Sequence, residues 1–304
     1  MSKDQIGDRM KKNYEGRTKQ FLPRRTYTII RLDGKAFHTF TKQFKRPYDI
    51  NFMSMMNETA KALCENIQGA KLAYVQSDEI TLVLTDFETL TTDAWFDGNV
   101  QKMTSISASI ATAEFNKQYL KHCLFMADVF DGNFKSEEVE KLLSAKPAHF
   151  DSRVFTIPEL EEVLNCLIWR QQDATRNAIQ MLGQAHFSHK ELHQKSTSNI
   201  QDMLMLQKGV NFNDQPVGFK RGRLIKKESY HQPVINQKVN YTEFRTSLRT
   251  RWIVDEPPIF SQDRAYLYDI IPGQGMKVAT DYIVTLPDGI KVEQVEGAND
   301  SHNS

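Results

Sequence analysis

The stretch Tyr27-Thr28-Ile29-Ile30-Arg31-Leu32-Asp33-Gly34 constrains the fold of this chain more than any other. A run of β-forming residues ends abruptly in Asp-Gly and passes into the basic, small and aromatic sequence Lys35-Ala36-Phe37-His38. Such residues favour a pleated, half-buried strand, and the glycine frees the backbone directly after a carboxylate. A second signal lies in Leu72-Ala73-Tyr74-Val75-Gln76-Ser77-Asp78-Glu79-Ile80-Thr81-Leu82-Val83-Leu84. There two apolar runs flank a polar turn, the pattern of a β-hairpin with acids at its tip.

The spacing of apolar residues places further elements around these two. Phe37, Phe40 and Phe44 recur at helical intervals and predict a short helix with an aromatic face, broken by the basic loop Lys45-Arg46-Pro47-Tyr48-Asp49. A helix is expected over Phe52–Ile67. Another is expected over Trp95–Leu120, whose small residues Ser105, Ser107, Ala108, Ser109, Ala111 and Ala113 permit close packing on a sheet. With Ser152–Ile157 as a last strand, the order is strand, helix, strand, strand, helix, strand. That is the split-βαβ, ferredoxin-like arrangement of an α/β (α+β) protein. It puts the end of the first strand beside the hairpin tip, so Asp33 and Asp78 face one site.

Outside this core, a helix or arm is expected over Ile6–Phe21, closed by Pro23, and a surface segment with a short helix near Ser136–Leu143. A long helix spans Pro158–Gly183, with acids in its first turn where the helix dipole favours them. Ser188 and Glu191 form a capping box, and a further helix covers Ile200–Lys208. The densest basic run, Phe219–Lys227, reads as an edge strand with its cations outward. Arg245, Arg249 and Arg251 with Trp252 make a second basic cluster, and the tail from Gln294 is polar and expected to be disordered. The domain expectation is an arm and palm over 1–160, a helical and β region over 161–256, and an extension over 257–304.

Composition narrows the classes. In 304 residues, 40% are hydrophobic and 25% charged, and the net charge of +1 announces no polyanionic partner, so local clusters must carry any such interaction. No stretch nears ~18 uninterrupted apolar residues, and the charged N-terminus lacks an apolar signal core. Cys64, Cys123 and Cys166 stand isolated, without a Cys-x-x-Cys pair, which suits buried thiols in a reducing compartment. His189 and His193 lie four apart but lack the His-Glu-x-x-His pattern of a zinc site.

Two carboxylates from separate elements suit a hard cation such as Mg²⁺, which takes oxygen ligands and retains waters and phosphates. Taken from the residues alone, Asp33-Gly34 is equally a plain turn and Asp78-Glu79 a solvated hairpin tip. Several separate motifs favour the first reading. Arg-Leu-Asp-Gly-Lys-Ala-Phe-His-Thr-Phe (31–40), Phe-Lys-Arg-Pro-Tyr-Asp (44–49), Ala-Tyr-Val-Gln-Ser-Asp-Glu (73–79), Phe-Asp-Ser-Arg-Val-Phe (150–155) and Trp-Arg-Gln-Gln-Asp-Ala (169–174) occur in register. Together they resemble the tRNA(His) guanylyltransferase family over roughly residues 5–255.

The resemblance implies a polymerase-like palm working in the 3′-to-5′ direction. Such enzymes activate a tRNA 5′-monophosphate with ATP or GTP, then let the 3′-hydroxyl of an incoming nucleotide displace the activating group. It implies two Mg²⁺ ions held by Asp33, Asp78 and the Gly34 carbonyl, with Glu79 shaping their field as a third catalytic acid. Nucleotide contacts carried over are Gly34, Lys35, Ala36, Phe37, His38, Arg46, Asp49, Ser77 and Lys102, with Arg46 standing where the family usually has Lys. After Trp95-Phe96 the family often has a basic pair, whereas this chain has Asp97-Gly98-Asn99. Where eukaryotic members carry His-Ile-Asn-Asn-Leu-Tyr-Asn, this chain has Ala174 to Gln180, similar to the bacterial and archaeal members that lean towards template-directed repair. Arg176, Asn177, Lys220, Arg221, Arg223, Arg249 and Arg251 are the expected tRNA contacts, by phosphate neutralisation. A cytoplasmic homotetramer without membrane attachment is the implied state. Two alternatives stay open: a palm enzyme on free nucleotides, such as a nucleotide cyclase, and an RNA-binding module with a silent palm.

Overall fold

A computed structural model describes residues 5–129, 146–234, 245–274, 283–285 and 291–293. Six strands form one sheet: β1 (Tyr27–Gly34), β2 (Ala70–Gln76), β3 (Glu79–Leu84), β4 (Phe150–Ile157), β5 (Arg223–Val234) and β6 (Arg245–Asp255). Their spatial order is β4-β1-β3-β2-β5-β6, and every neighbouring pair is antiparallel. The helices used below are α1 (Gln5–Asn13), α2 (Ile50–Asn66), α3 (Val100–Val129), α4 (Leu160–His186), α5 (Thr197–Lys208) and α6 (Val217–Arg221). The first four strands with α2 and α3 are the expected split-βαβ unit, and β5 and β6 extend its sheet.

Both faces of this sheet are covered, which is why β1 reads as a nearly continuous apolar run. Successive side chains of a strand point to opposite faces. Ile30 and Leu32 enter the core shared with Met56, Leu63 and Phe115 of α2 and α3. Tyr27 and Ile29 enter a second core with Val163, Leu164 and Leu167 of α4. A third, smaller core joins α4 to α5 through Ile179, Leu182 and Leu204. The chain after Glu256 completes the second core with buried Phe260, Leu267 and Ile271. It is tied there by the Gln171 side chain, which donates to Pro258 O at 2.8 Å and accepts from Phe260 N at 2.8 Å. Contacts divide the chain into a body of residues 1–273 and a separate unit of residues 274–304, within which Ile283–Thr285 pairs with Lys291–Glu293.

Three expectations change. The basic run Phe219–Lys227 is not an edge strand: it begins as α6, and β5 lies between β2 and β6. With β6 covering its outer side, β5 needs no cations to repel an edge partner. The helix expected from Trp95 instead opens with a tight turn, Trp95–Gly98, in which Phe96, Asp97 and Gly98 take left-handed backbone angles. The helix proper starts at Val100 and runs past Leu120 to Val129, since nothing in Lys121-His122-Cys123-Leu124 interrupts it. The N-terminal helix stops at Asn13 and is followed by a short turn, Glu15–Thr18. The capping box at Ser188 is present. The short helix expected near Ser136–Leu143 and the tail from Gln294 lie outside the described residues. Among the described residues no helix is long and apolar enough to cross a membrane.

Candidate active site

The site gathers at the Gly34 end of β1. In the antiparallel register Asp33 lies opposite Glu79 of β3 and Asp151 of β4, and Arg31 lies opposite Thr81 and Arg153. Residues 31 and 33 share a face, so these acids and arginines meet on the side covered by α4. Gln76 pairs with Glu79, which leaves Ser77 and Asp78 as a two-residue turn. The fold therefore brings Asp33, Asp78 and Glu79 together from two separate stretches of sequence.

The acids differ in what already holds them. Glu79 is only 7% exposed, and its Oε2 accepts from Arg31 Nε at 3.1 Å. Its Oε1 accepts from Arg170 Nε at 2.7 Å and from Gln76 Nε2 at 3.1 Å. Arg170, on α4 and 4% exposed, also reaches Asp173 Oδ2 at 2.7 Å and lies 4.3 Å over the Trp169 ring. Asp151, exposed, has Arg153 at 3.6 Å. Among the described residues, neither Asp33 nor Asp78 makes an ion pair. Burial pushes the Asp33 carboxyl up, helped by the charges of Glu79 and Asp151. Burial pushes Asp78 up to about 6, with Asp33 adding to it and its own N–H and the Ser77 hydroxyl pulling the other way.

Local backbone explains two of the sequence signals. A Cβ at Gly34 would lie 2.3 Å from the Phe37 ring, so glycine is required there by the aromatic core. Phe37 itself is buried against Phe40, Phe52, Phe115 and Phe150, leaving only its backbone for a ligand. Ala36 and Ser77 hold left-handed angles, φ 56° and 44°, conformations that cost of order 1–3 kcal/mol and cluster at functional sites. The Lys35 N–H is committed to His149 O at 2.8 Å. The amides of Phe37 and His38 open the turn Phe37–Phe40, where no preceding carbonyl can accept them. Lys35, Ala36 and His38 are exposed around them.

The basic loop is fastened by Asp49, the N-cap of α2. Its Oδ1 accepts from Asn51 N at 2.8 Å and Phe52 N at 3.1 Å, and its Oδ2 from Lys45 N at 3.1 Å. Arg46 is exposed on that loop. Lys102 is not beside it. Gly98 and Val100 bond Leu22 and Gln20, before β1 begins, whereas Thr112 bonds Phe150 at the Asp33 end. Lys102 thus lies about 15 Å back along the α3 axis from that end at 1.5 Å per residue.

The C-terminal cations separate into two groups. Arg176 is exposed and bonds Asp173, which also accepts from Asn177. Arg249 and Arg251 are exposed on the β5–β6 ribbon, with Arg251 paired to Glu228 at 2.7 Å and Arg249 opposite Tyr230. Arg221 is half-buried. Lys220 and Arg223, expected to face RNA, are instead 7% and 4% exposed. Lys220 donates to Asn213 O, and Arg223 to Asn57 Oδ1 at 2.8 Å and Gly218 O at 3.1 Å. The tight turn at Gly222 drives both side chains inward. Sequence reasoning assigned no role to Arg31, Asp151 or Arg170, although all three lie in the motifs quoted above. The available signal was an arginine on the apolar face of a long helix, which demands a buried acid.

An antiparallel α+β sheet that brings two acids to a strand end and a hairpin turn, neither in an ion pair among the described residues, has the layout of a palm-type fold. The match of one family model, tRNAHis guanylyltransferase, to residues 7–158 is decisive for the rest. The chain belongs to that family. It is similar to a bacterial tRNA(His) guanylyltransferase (Thg1)-like protein solved in complex with ATP, at 42% identity and TM-score 0.72, covering 88% of this chain and 99% of that one. A GTP complex of such a bacterial protein matches at 40% identity and TM-score 0.66 over the same shares. The tRNA(His) guanylyltransferase of Saccharomyces cerevisiae is 29% identical over 227 residues, 69% of this chain and 87% of that protein.

Proposed function

We propose that this enzyme adds nucleotides to the 5′ end of a tRNA in the 3′-to-5′ direction, after activation of the 5′-phosphate by ATP or GTP. One observation carries the reading. At a sheet end where Glu79 is bound by two arginines and Asp151 faces a third, Asp33 and Asp78 are in no ion pair among the described residues. Partly buried acids without a counter-charge are costly unless something positive arrives to meet them.

The donor set fits Mg²⁺. Among the described residues no group of three His, Cys, Asp or Glu side chains could close around a metal. Two carboxylates and the Gly34 carbonyl leave coordination positions for water and phosphate, which Mg²⁺ requires. Asp33, Asp78 and Gly34 would hold two such ions, which when bound neutralise charge building on the phosphates and lower the pKa of an attacking hydroxyl.

The chain's own residues do the rest. The amides of Ala36, Phe37 and His38 donate to triphosphate oxygens, with Ser77 assisting and Lys35 and Arg46 supplying positive charge. Asp49 acts by fastening the loop that carries Arg46 to the start of α2. Glu79, pinned between Arg31 and Arg170, keeps the hairpin acid in place and sets the local field. Arg176, Asn177, Arg221, Arg249 and Arg251 bind tRNA backbone in a cytoplasmic homotetramer. Lys102, too far from Asp33 within one chain, then serves a nucleotide of a neighbouring copy.

The test is incorporation of labelled GTP into 5′-monophosphorylated tRNAs, one of them tRNA(His) and others lacking their first nucleotide. Wild-type protein with Mg²⁺ extends at least one, and Asp33→Ala or Asp78→Ala loses several orders of magnitude, because the two-metal arrangement has no substitute. Equal extension by either variant sinks the assignment. The preference between tRNA(His) and truncated tRNAs separates single guanosine addition from templated repair. Release of a cyclic product from nucleotide alone would instead indicate a cyclase.

A further inference from the structure

Trp169 is the most open of the three tryptophans: it is 50% exposed, whereas Trp95 is 8% exposed and Trp252 packs partly against the first core. Its ring is nevertheless held in place. The Arg170 guanidinium lies 4.3 Å from the ring centroid and that of Arg31 5.7 Å, and both arginines are fastened to Glu79. Single apolar residues scattered over a surface need no explanation. This one is not scattered. Arg31 stands two residues before Asp33 on the same face of β1, about 7 Å along the strand. Phe155 of β4, 38% exposed, lies on that face too, two residues beyond the exposed Arg153. Burial raises the Asp33 carboxyl and the charges of Arg31 and Arg153 draw it back, so both arginines act within reach of it. Rings set among cations are how proteins hold single-stranded nucleic acid.

The two sides of the acids differ. On the α2 and α3 side, Phe37 and Phe40 bury the turn whose amides are assigned above to triphosphate, and Asp49 ties the basic loop to α2. Trp169 belongs to α4, which covers the opposite face of the sheet. A transfer between a nucleotide and an RNA end needs both at the acids. Trp169 stands across the acids from the nucleotide contacts, where the second reactant must lie.

We propose that Trp169 stacks on the 5′-terminal base of the RNA and so holds its 5′-phosphate over Asp33 and Asp78. The inference rests on the RNA-end reading of the site given above and adds the residue that receives that end. One side of the indole rests on Arg170, and a base on the other completes a sandwich whose cation is already in place. Stacking tolerates any sequence, since every base has a π-face. Trp169 therefore positions the RNA end without selecting the nucleotide that occupies it.

The probe is a 5′-monophosphorylated tRNA lacking its first nucleotide, made with a normal or an abasic 5′-terminal residue. It is bound to the full chain with Mg²⁺ and without nucleoside triphosphate. The normal RNA quenches tryptophan fluorescence of wild type, while the abasic RNA does not and binds about tenfold more weakly. Trp169→Leu weakens the normal RNA by about tenfold and leaves the abasic RNA unchanged, whereas damage to the fold or to the basic surface would weaken both alike. Trp169→Phe abolishes the quenching and, having a ring, keeps most of the affinity. If Trp169→Leu does not fold, the two RNAs on wild type and on Trp169→Phe decide the matter. An equal loss of both RNAs in folded Trp169→Leu, or equal binding of the two by wild type, overturns the proposal. Quenching by ATP or GTP that is absent from Trp169→Phe overturns it as well, because the ring then serves the free nucleotide. Extension of RNA by wild type without any base-dependent difference removes Trp169 and leaves the transfer reaction standing; base-dependent quenching without extension does the reverse.

Discussion

Asp78 should destabilise the metal-free protein, and Asp78→Asn should relieve it. Burial raises this carboxyl from 3.8 to about 6, and at 1.36 kcal/mol per decade the ionised folded state is penalised by about 3 kcal/mol. Residual solvent at the turn brings that to ~2–3 kcal/mol. Because the folded value lies above the unfolded one, the native state binds more protons than the unfolded chain between 3.8 and about 6. Stability therefore falls as pH rises through that window, and the penalty is complete above it. Asparagine keeps an acceptor for the Ser77 hydroxyl and the backbone N–H while removing the charge. Urea unfolding in EDTA should show Asp78→Asn more stable than wild type by ~2–3 kcal/mol at about pH 7.5, with the difference vanishing near about pH 4. Millimolar Mg²⁺ should stabilise wild type and leave the variant unmoved, since a ligand that binds only the native state shifts the equilibrium by mass action. An advantage that persists unchanged at about pH 4 would refute the reasoning, because no ionised carboxylate is left there to relieve.

Other consequences follow from the same residues. Arg170→Met strips Glu79 of one of its two arginines and should cost about 3–5 kcal/mol in denaturant unfolding. Adding Glu79→Gln should restore part of that loss, so the double variant falls short of the sum of the singles. Gly222→Ala meets Tyr74 Oη and Val75 O within 2.7 Å at a left-handed position, and should cost about 2–4 kcal/mol by thermal or chemical melting. Arg249→Ala should weaken tRNA binding alike for every tRNA sequence and lower the slope of log affinity against log salt by about one, read by filter binding across salt concentrations.

The palm was legible because its signals are local. Strands β1, β2 and β3 announce themselves through apolar runs, and the Ser77-Asp78 turn through polarity, so the convergence of Asp33 and Asp78 follows from the order of elements alone. The C-terminal half hides its logic because there the same residue types serve opposite ends. Lys220 and Arg223 read as solvated cations in a basic run, yet Gly218 leaves room for Arg223 to turn inward. Only the three-dimensional pairing of β5 between β2 and β6 reveals that its basic start is interior. The placement of Lys102 was hidden for a related reason: position along a helix says nothing of which end of the sheet the helix starts from.

The arginines at the sheet end explain why only two of its acids are available. With Asp33, Glu79 and Asp151 side by side across three strands and Asp78 in the adjoining turn, four like charges would force the strands apart or protonate. Arg31 and Arg170 bind Glu79 and Arg153 faces Asp151, so those two acids have cationic partners that Asp33 and Asp78 lack among the described residues. Trp169 lies against both Arg31 and Arg170, at 5.7 and 4.3 Å, and shields that neutralised pair from water. On the proposed metal reading, the unsatisfied remainder is where a cation should bind, backed by Arg170 of α4. Replacing Arg170 should consequently disturb metal dependence as well as stability: freed of its partner, Glu79 competes for the cation, and the Mg²⁺ concentration at half-maximal activity moves although no metal ligand was changed.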